Sequence, residues 1–195
     1  VTYVRFVEHA LEDREEYAST QEWLDAEWIL AADVIPHPEF NDFAAFPNTY
    51  DVGLVILSEP VMLPVYGVLP TEGLLDSVLA AKGNKSNWFT AVGYGAQGIL
   101  NPFESDEYAR YRTTARLIEH KSTNTGDQQS AKFTNNPGKG RGGTCFGDSG
   151  GPVFYQNTPI IAAIVSWGNT PCIGVYFQFR IDTDLALDFI EANTP

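Results

Sequence analysis

Ser149 is the residue whose surroundings invite chemistry. It stands in "GGTCFGDSGGPVF", residues 142–154, with Gly147, Gly150 and Gly151 around it, Asp148 beside it and Cys145 four positions earlier. Glycines that dense admit positive φ and close backbone approach, at a cost in conformational entropy. A serine hydroxyl is a poor nucleophile until a base takes its proton, and the oxyanion it generates needs preorganised N–H donors. Ser149 is therefore either a turn residue or an activated nucleophile, and the rest of the chain has to decide.

Gly147-Asp148-Ser149-Gly150-Gly151 satisfies the G-x-S-x-G pattern of a nucleophile elbow. That device needs a helix after the serine, then an acid, then a histidine. No histidine follows His120, and Pro152 opens a strand-like run instead of a helix, so residue order excludes it. Other motifs carry less. "GKGRGG" lacks the G-x-x-x-x-G-K-[ST] pattern of a phosphate loop. The acidic stretch Glu8–Glu16 lacks the spacing of a calcium loop and reads as solvated charge. Asn84-Lys85-Ser86 is a glycosylation sequon, a pattern too short to weigh.

The elements that would position Ser149 are strands. Short runs rich in β-branched and aromatic residues recur at 3–7, 52–57, 88–95, 110–118, 160–168 and 175–180, bounded by Gly, Pro, Asn or Asp. Many short strands so spaced mean an all-β barrel or sandwich. "DTDLALDFIEAN" (182–193) predicts a closing helix with Asp182 as N-cap. "STQEWLDAEWIL" (19–30) reads equally as helix or strand. Residues 71–87 read as a bridge between halves and 124–143 as a long polar loop leading into the serine.

The chain has 195 residues, 44% hydrophobic and 19% charged, with no run of eighteen apolar residues, which excludes the disordered and membrane-spanning helical classes. Twelve basic against twenty-five acidic residues give a net charge of −13, with no basic cluster longer than "GKGR", so nucleic acid is not an expected partner. Cys145 and Cys172 are either two buried thiols or a pair, and spacing does not choose. The chain begins at Val1 without a leader pattern, and "VTYVRFV" reads as a strand already in progress.

Taken together, Gly147-Asp148-Ser149-Gly150-Gly151-Pro152-Val153 resembles the serine motif of the chymotrypsin/trypsin-like serine proteases. "IVSWG" (164–168), "CIGVYFQF" (172–179), "TAVGYG" (90–95), "YDVGLVIL" (50–57), "VIPHPEF" (34–40) and the closing helix are similar to further segments of that family, in the same order. The resemblance implies an all-β fold of two six-stranded antiparallel Greek-key barrels with a C-terminal helix, the first barrel truncated at its N-terminus. It implies residues 1–70 as the remainder of the N-terminal barrel, 71–87 as the connection, 88–181 as the C-terminal barrel and 182–195 as the helix.

The implied roles follow by position. Ser149 would be the nucleophile and Asp51 the carboxylate that orients the base, with Ser166 against it. The N–H groups of Gly147 and Ser149 would form the oxyanion hole. Gly143, Thr144, Ser166, Trp167, Gly168 and Gly174 would line the substrate cleft. Gly143 at its floor carries no charge, which predicts a preference for large apolar P1 residues. Asp148 would take the α-ammonium created by zymogen cleavage, and Cys145 would pair with Cys172. The family resemblance implies no cofactor and no metal, peptide or protein substrates, no membrane partner, a monomer when full length, and secretion.

The base is the departure. The family's histidine lies about 45 residues ahead of the aspartate, in a Thr-Ala-Ala-His-Cys setting that this sequence lacks. His120 follows Asp51, and His37 precedes it by only 14 residues. His9, 42 residues ahead, sits in "RFVEHALED", which resembles the segment after the catalytic histidine. The expectation is a chain that begins downstream of its base, inactive as it stands. The competing expectation is a protease homologue without catalysis, acting as a binding or regulatory module.

Overall fold

The computed structural model describes residues 1–42, 44, 48–81, 86–97, 108–119, 128–136 and 142–194. Among the described residues nine strands and three α-helices follow one another as β1 (Tyr3–Val4), α1 (Thr20–Glu27), β2 (Ile29–Pro36), β3 (Gly53–Leu57), α2 (Leu74–Ala80), β4 (Trp88–Gly93), β5 (Tyr111–Glu119), β6 (Ser130–Asn135), β7 (Pro152–Tyr155), β8 (Ile161–Gly168), β9 (Gly174–Arg180) and α3 (Asp184–Asn193), with one 3-10 turn at Arg14–Glu16. The last six strands close an antiparallel barrel in the order β4-β5-β6-β9-β8-β7, and the first three form a separate sheet, β1-β2-β3.

Alternation builds the barrel. Phe89, Ala115, Leu117, Ala131, Phe133, Val153, Ala163 and Val165 point inward and are buried. Phe89 and Phe133 meet edge to face at 5.2 Å. Burying one such side chain contributes about 1.5–3 kcal/mol. Helix α2 closes one end with Leu75 and Val78. A second cluster, Val52, Phe179, Ile181, Ala186 and Phe189, joins β3, β9 and α3, so the sheet leans on the barrel through one wall and the closing helix. The link at Val68 runs parallel to Ile160 and bonds to Pro159 and Ile161.

Four expectations change. The polar stretch 124–143 contains β6, which pairs with β9 from Ser130↔Phe179 to Asn135↔Gly174. Ala131 and Phe133 supply its inward face, a signal diluted by polar neighbours. The bridge 71–87 contains α2. The ambiguous 19–30 stretch divides: Ser19 caps α1 by accepting from the Glu22 N–H, Glu22 accepts from the Ala18 N–H, and the chain turns to β2 after Trp28. Thr183, not Asp182, caps α3. Asp182 is turned inward, where its carboxylate accepts from Arg180 Nε (2.9 Å) and from the Leu75 N–H (2.7 Å). The buried guanidinium holds it there, and breaking such a pair costs about 3–5 kcal/mol.

Candidate active site

The serine loop is organised around one carboxylate. Asp148 Oδ1 accepts from the Gly95 N–H at 2.8 Å and Oδ2 from the Cys145 N–H at 2.8 Å. Space for it is made by glycines: a Cβ on Gly93 would fall 2.0 Å from Asp148 Oδ1, and one on Gly95 would fall 2.5 Å from its Cγ. Burial pushes the Asp148 carboxyl above the usual range, opposed by the two N–H bonds. No cation pairs with it among the described residues.

Around this anchor the chain turns at Gly147 (φ 94°) and Gly150 (φ 78°), a region of φ open to glycine. The Gly150 N–H donates to Val165 O at 2.8 Å, and the Val165 N–H donates to Gly151 O at 2.9 Å. Ser149 is thereby presented at the surface beside β8, with no hydrogen-bond partner for its hydroxyl among the described residues. Cys145 and Cys172 form a disulfide with Cα atoms 5.3 Å apart, tying the serine loop to the loop between β8 and β9.

Asp51 arrives from the other sheet. It precedes β3, at a turn where Tyr50 adopts φ 47° and its N–H donates to Gln129 Oε1 at 2.9 Å. The Ser166 hydroxyl donates to Asp51 Oδ2 at 2.5 Å. Val165 and Ser166 are adjacent on β8, so one strand end receives both the serine loop and the aspartate.

The histidines lie elsewhere. The ring of His37 stacks on Tyr50 at 4.9 Å, and its Nδ1 accepts from the Glu39 N–H. His9 is exposed and bridged to Ala109. His120 is outside the described residues. Among the described residues Ser166 is the partner of Asp51.

The expected cleft residues are only partly together. Gly142, Gly143, Thr144 and Cys145 line a cavity of about 260 Å³ with Asp148 and Asn135. A Cβ on Gly143 would lie 1.3 Å from Asn135 Oδ1, so Asn135 holds the space that a side chain there would need. Its Nδ2 donates to Thr144 O at 3.0 Å. Trp167 stacks on Phe177 at 3.9 Å. The wall at Gly168 is occupied: a Cβ there would meet the Tyr176 ring at 2.6 Å, whereas Gly174 (φ 93°) faces open space. Gln178 links the two sides, donating to Thr144 Oγ1 and accepting from the Ser166 N–H. Asn135, Gln129 and Gln178 are site-supporting residues that sequence reasoning missed. The one available signal was a glutamine inside the aromatic run "VYFQFR".

The acidic N-terminal loop is used internally. Asp13 takes Arg5 at 2.6 Å and the Trp23 indole N–H at 2.8 Å, while Glu27 accepts from Tyr17 and pushes that phenol up to about 12. No group of three His, Cys, Asp or Glu suited to a metal occurs among the described residues. No helix among them is long and apolar enough to cross a membrane.

Comparison with known proteins agrees with this frame. The trypsin family model matches residues 10–190. Renal glandular kallikrein of Mastomys natalensis is 30% identical over 194 residues, covering 87% of this chain and 67% of the kallikrein. Glandular kallikrein-10 of Rattus norvegicus is 27% identical, covering 77% of this chain and 59% of its own length. Solved structures of GrC and of neuropsin, a serine protease expressed in the limbic system of mouse brain, each superpose with a TM-score of 0.62 at 18% identity. They cover 85% of this chain and 69% and 71% of their own. With the order of strands, the disulfide and the serine loop in place, the chain belongs to the trypsin family, the chymotrypsin/trypsin-like serine proteases.

Proposed function

We propose that the protein is a serine endopeptidase that cleaves peptide bonds through an acyl-enzyme on Ser149. The observation that carries this reading is the convergence on β8: Val165 bonds the chain at Gly150 and Gly151, and Ser166 bonds Asp51. Residues almost a hundred positions apart are thus set against adjacent residues of one strand. Ser149 would attack the scissile carbonyl, and the N–H groups of Gly147 and Ser149 would receive the oxyanion. Asp51 would fix the tautomer of the histidine that takes the serine proton. That histidine would lie on a segment preceding Val1, and this chain without it would be inactive.

The cavity beside Asp148 would admit an α-ammonium produced by processing. An opposite charge there would stabilise the carboxylate against its desolvation and hold the turn at Gly147. Substrates would be peptides or proteins with large apolar P1 residues, met by an uncharged Gly143 and the open space at Gly174. The enzyme would be secreted and monomeric. The test is labelling of the N-terminally extended, processed protein with a sulfonyl fluoride. Modification should fall on Ser149, and Ser149→Ala should abolish peptide hydrolysis. Labelling elsewhere overturns the assignment. An intact extended protein that neither labels nor hydrolyses peptides while still binding them would favour the non-catalytic reading. Faster cleavage after Arg than after Phe would overturn the P1 preference.

A further inference from the structure

On the outer face of the barrel β4, β5 and β7 border a groove of about 640 Å³, a volume typical of sites for small ligands; it adjoins the cavity beside Asp148, with which it shares Val92, Arg112 and Thr113. Cross-strand pairing lines it up: Trp88 faces Arg116, Thr90 faces Thr114, and Val92 faces Arg112, with Phe154 beside Thr90 on the next strand. Asn157 closes the rim from the β7–β8 turn.

Charge sets this face apart. The chain carries a net −13, yet among the described residues neither aspartate nor glutamate lines the groove. Arg112 lies in it and Arg110 two residues earlier on the same side of the chain; neither makes an ion pair among the described residues. Arg116 is held by Asn87 Oδ1 at 2.7 Å, a neutral partner. The floor is braced as well, since Gln156 Nε2 donates to Ser86 O. What stays free is a convergent set: the Arg112 guanidinium, the Thr90 and Thr114 hydroxyls and the Asn157 carboxamide have no hydrogen-bond partner among the described residues. The rings of Trp88 and Phe154 flank them.

We propose that this groove binds an anionic oligosaccharide. A guanidinium presents a planar fork of donors suited to sulfate or carboxylate. Hydroxyls and a carboxamide match a polyhydroxyl ligand, and aromatic rings give it an apolar platform with a polar edge. A peptide is the poorer fit. β4, β5 and β7 are each paired on both sides, so no free edge is offered to an extended main chain. An acidic peptide would be anchored through Arg112 alone.

The proposal does not rest on the catalytic reading, and its test needs no activity. The protein is titrated calorimetrically with four probes: a heparin-derived sulfated tetrasaccharide, a hyaluronan-derived carboxylate tetrasaccharide, a neutral maltotetraose and hexaglutamate. One or both anionic sugars should bind at least about tenfold more tightly than the other two, and weaken as ionic strength rises. The sulfated and carboxylate arms distinguish which anion is taken. Arg112→Gln should weaken that binding about tenfold or more, Trp88→Leu should weaken it too, and Arg14→Gln, remote from the groove, should leave it unchanged. No binding, equal binding of maltotetraose, tighter binding of hexaglutamate, or full affinity in Arg112→Gln would each overturn the proposal.

Discussion

The barrel and the N-terminal sheet use the same alternating β-pattern to opposite effect. In the barrel every strand is hydrogen-bonded on both sides, and Phe89, Phe133 and Phe179 are fully buried. In the sheet β3 pairs only with β2 among the described residues, and Leu30, Val34 and Val55 remain 45–49% exposed. The two regions therefore differ in closure more than in composition. A closed sheet gives each inward side chain a facing neighbour, whereas three strands in the order β1-β2-β3 leave one face open and both outer edges unpaired among the described residues. The candidate site straddles the two: Ser149 belongs to the closed part and Asp51 to the open one, with Ser166 as the joint.

The largest expected contrast is energetic. Phe133→Ala removes a fully buried ring from the barrel and should cost about 3–5 kcal/mol in denaturant unfolding. Val55→Thr in the open sheet should change stability by less than about 0.5 kcal/mol. Equal costs would mean that the exposed face of β2 and β3 is covered in solution. Next in size is the disulfide. Reduction of Cys145–Cys172 reopens a separation of 27 residues, which on the loop-entropy account costs about 3–4 kcal/mol. Hydrogen exchange should accelerate in β8, β9 and the serine loop while β2 and β3 keep their rates. Faster exchange confined to β2 and β3 would break the distinction.

Legibility followed the same division. β3, β4, β5, β8 and β9 announce themselves because apolar and β-branched residues dominate them, as in "VGLVIL" and "IIAAIVSWG". β6 does not, because "SAKFTN" buries only Ala131 and Phe133 as apolar side chains and places Ser130 and Asn135 inside as well. β2 was hidden by its junction with α1, where "AEWIL" suits either state. The Ser19-Thr20-Gln21-Glu22 capping pattern was the signal that would have separated them. At the site, the disulfide and the approach of Ser166 to Asp51 were readable only through family resemblance, since no local rule joins residues 115 apart. Asn135 filling the place of a Gly143 side chain, and Tyr176 lying across Gly168, were not readable at all. Both depend on which rotamer the closed barrel leaves room for.

The smallest contrast is in protonation, and it separates two aspartates by sign. Asp13, in the N-terminal region, is held below the ordinary carboxylate range, mainly by its hydrogen bonds from Arg5, with burial opposing and the Trp23 N–H assisting. Asp148, against the barrel, is pushed above that range by burial, with the Cys145 and Gly95 N–H groups opposing. Linkage then runs in opposite directions. The contribution of Asp13 is present above the unfolded aspartate value of about 3.9 and is lost as pH falls through its lower native value. That of Asp148 is full below about 3.9 and is lost as pH rises through its higher native value, because ionisation there lacks a cation to offset desolvation. Carboxyl-carbon NMR titration should therefore find Asp148 with the higher midpoint of the two. In the N-terminally processed protein an α-ammonium beside Asp148 should bring that midpoint down while Asp13 stays where it is. If Asp148 titrated below Asp13 in the unprocessed chain, its carboxylate would already have a cation, and the cavity beside it would not be waiting for one.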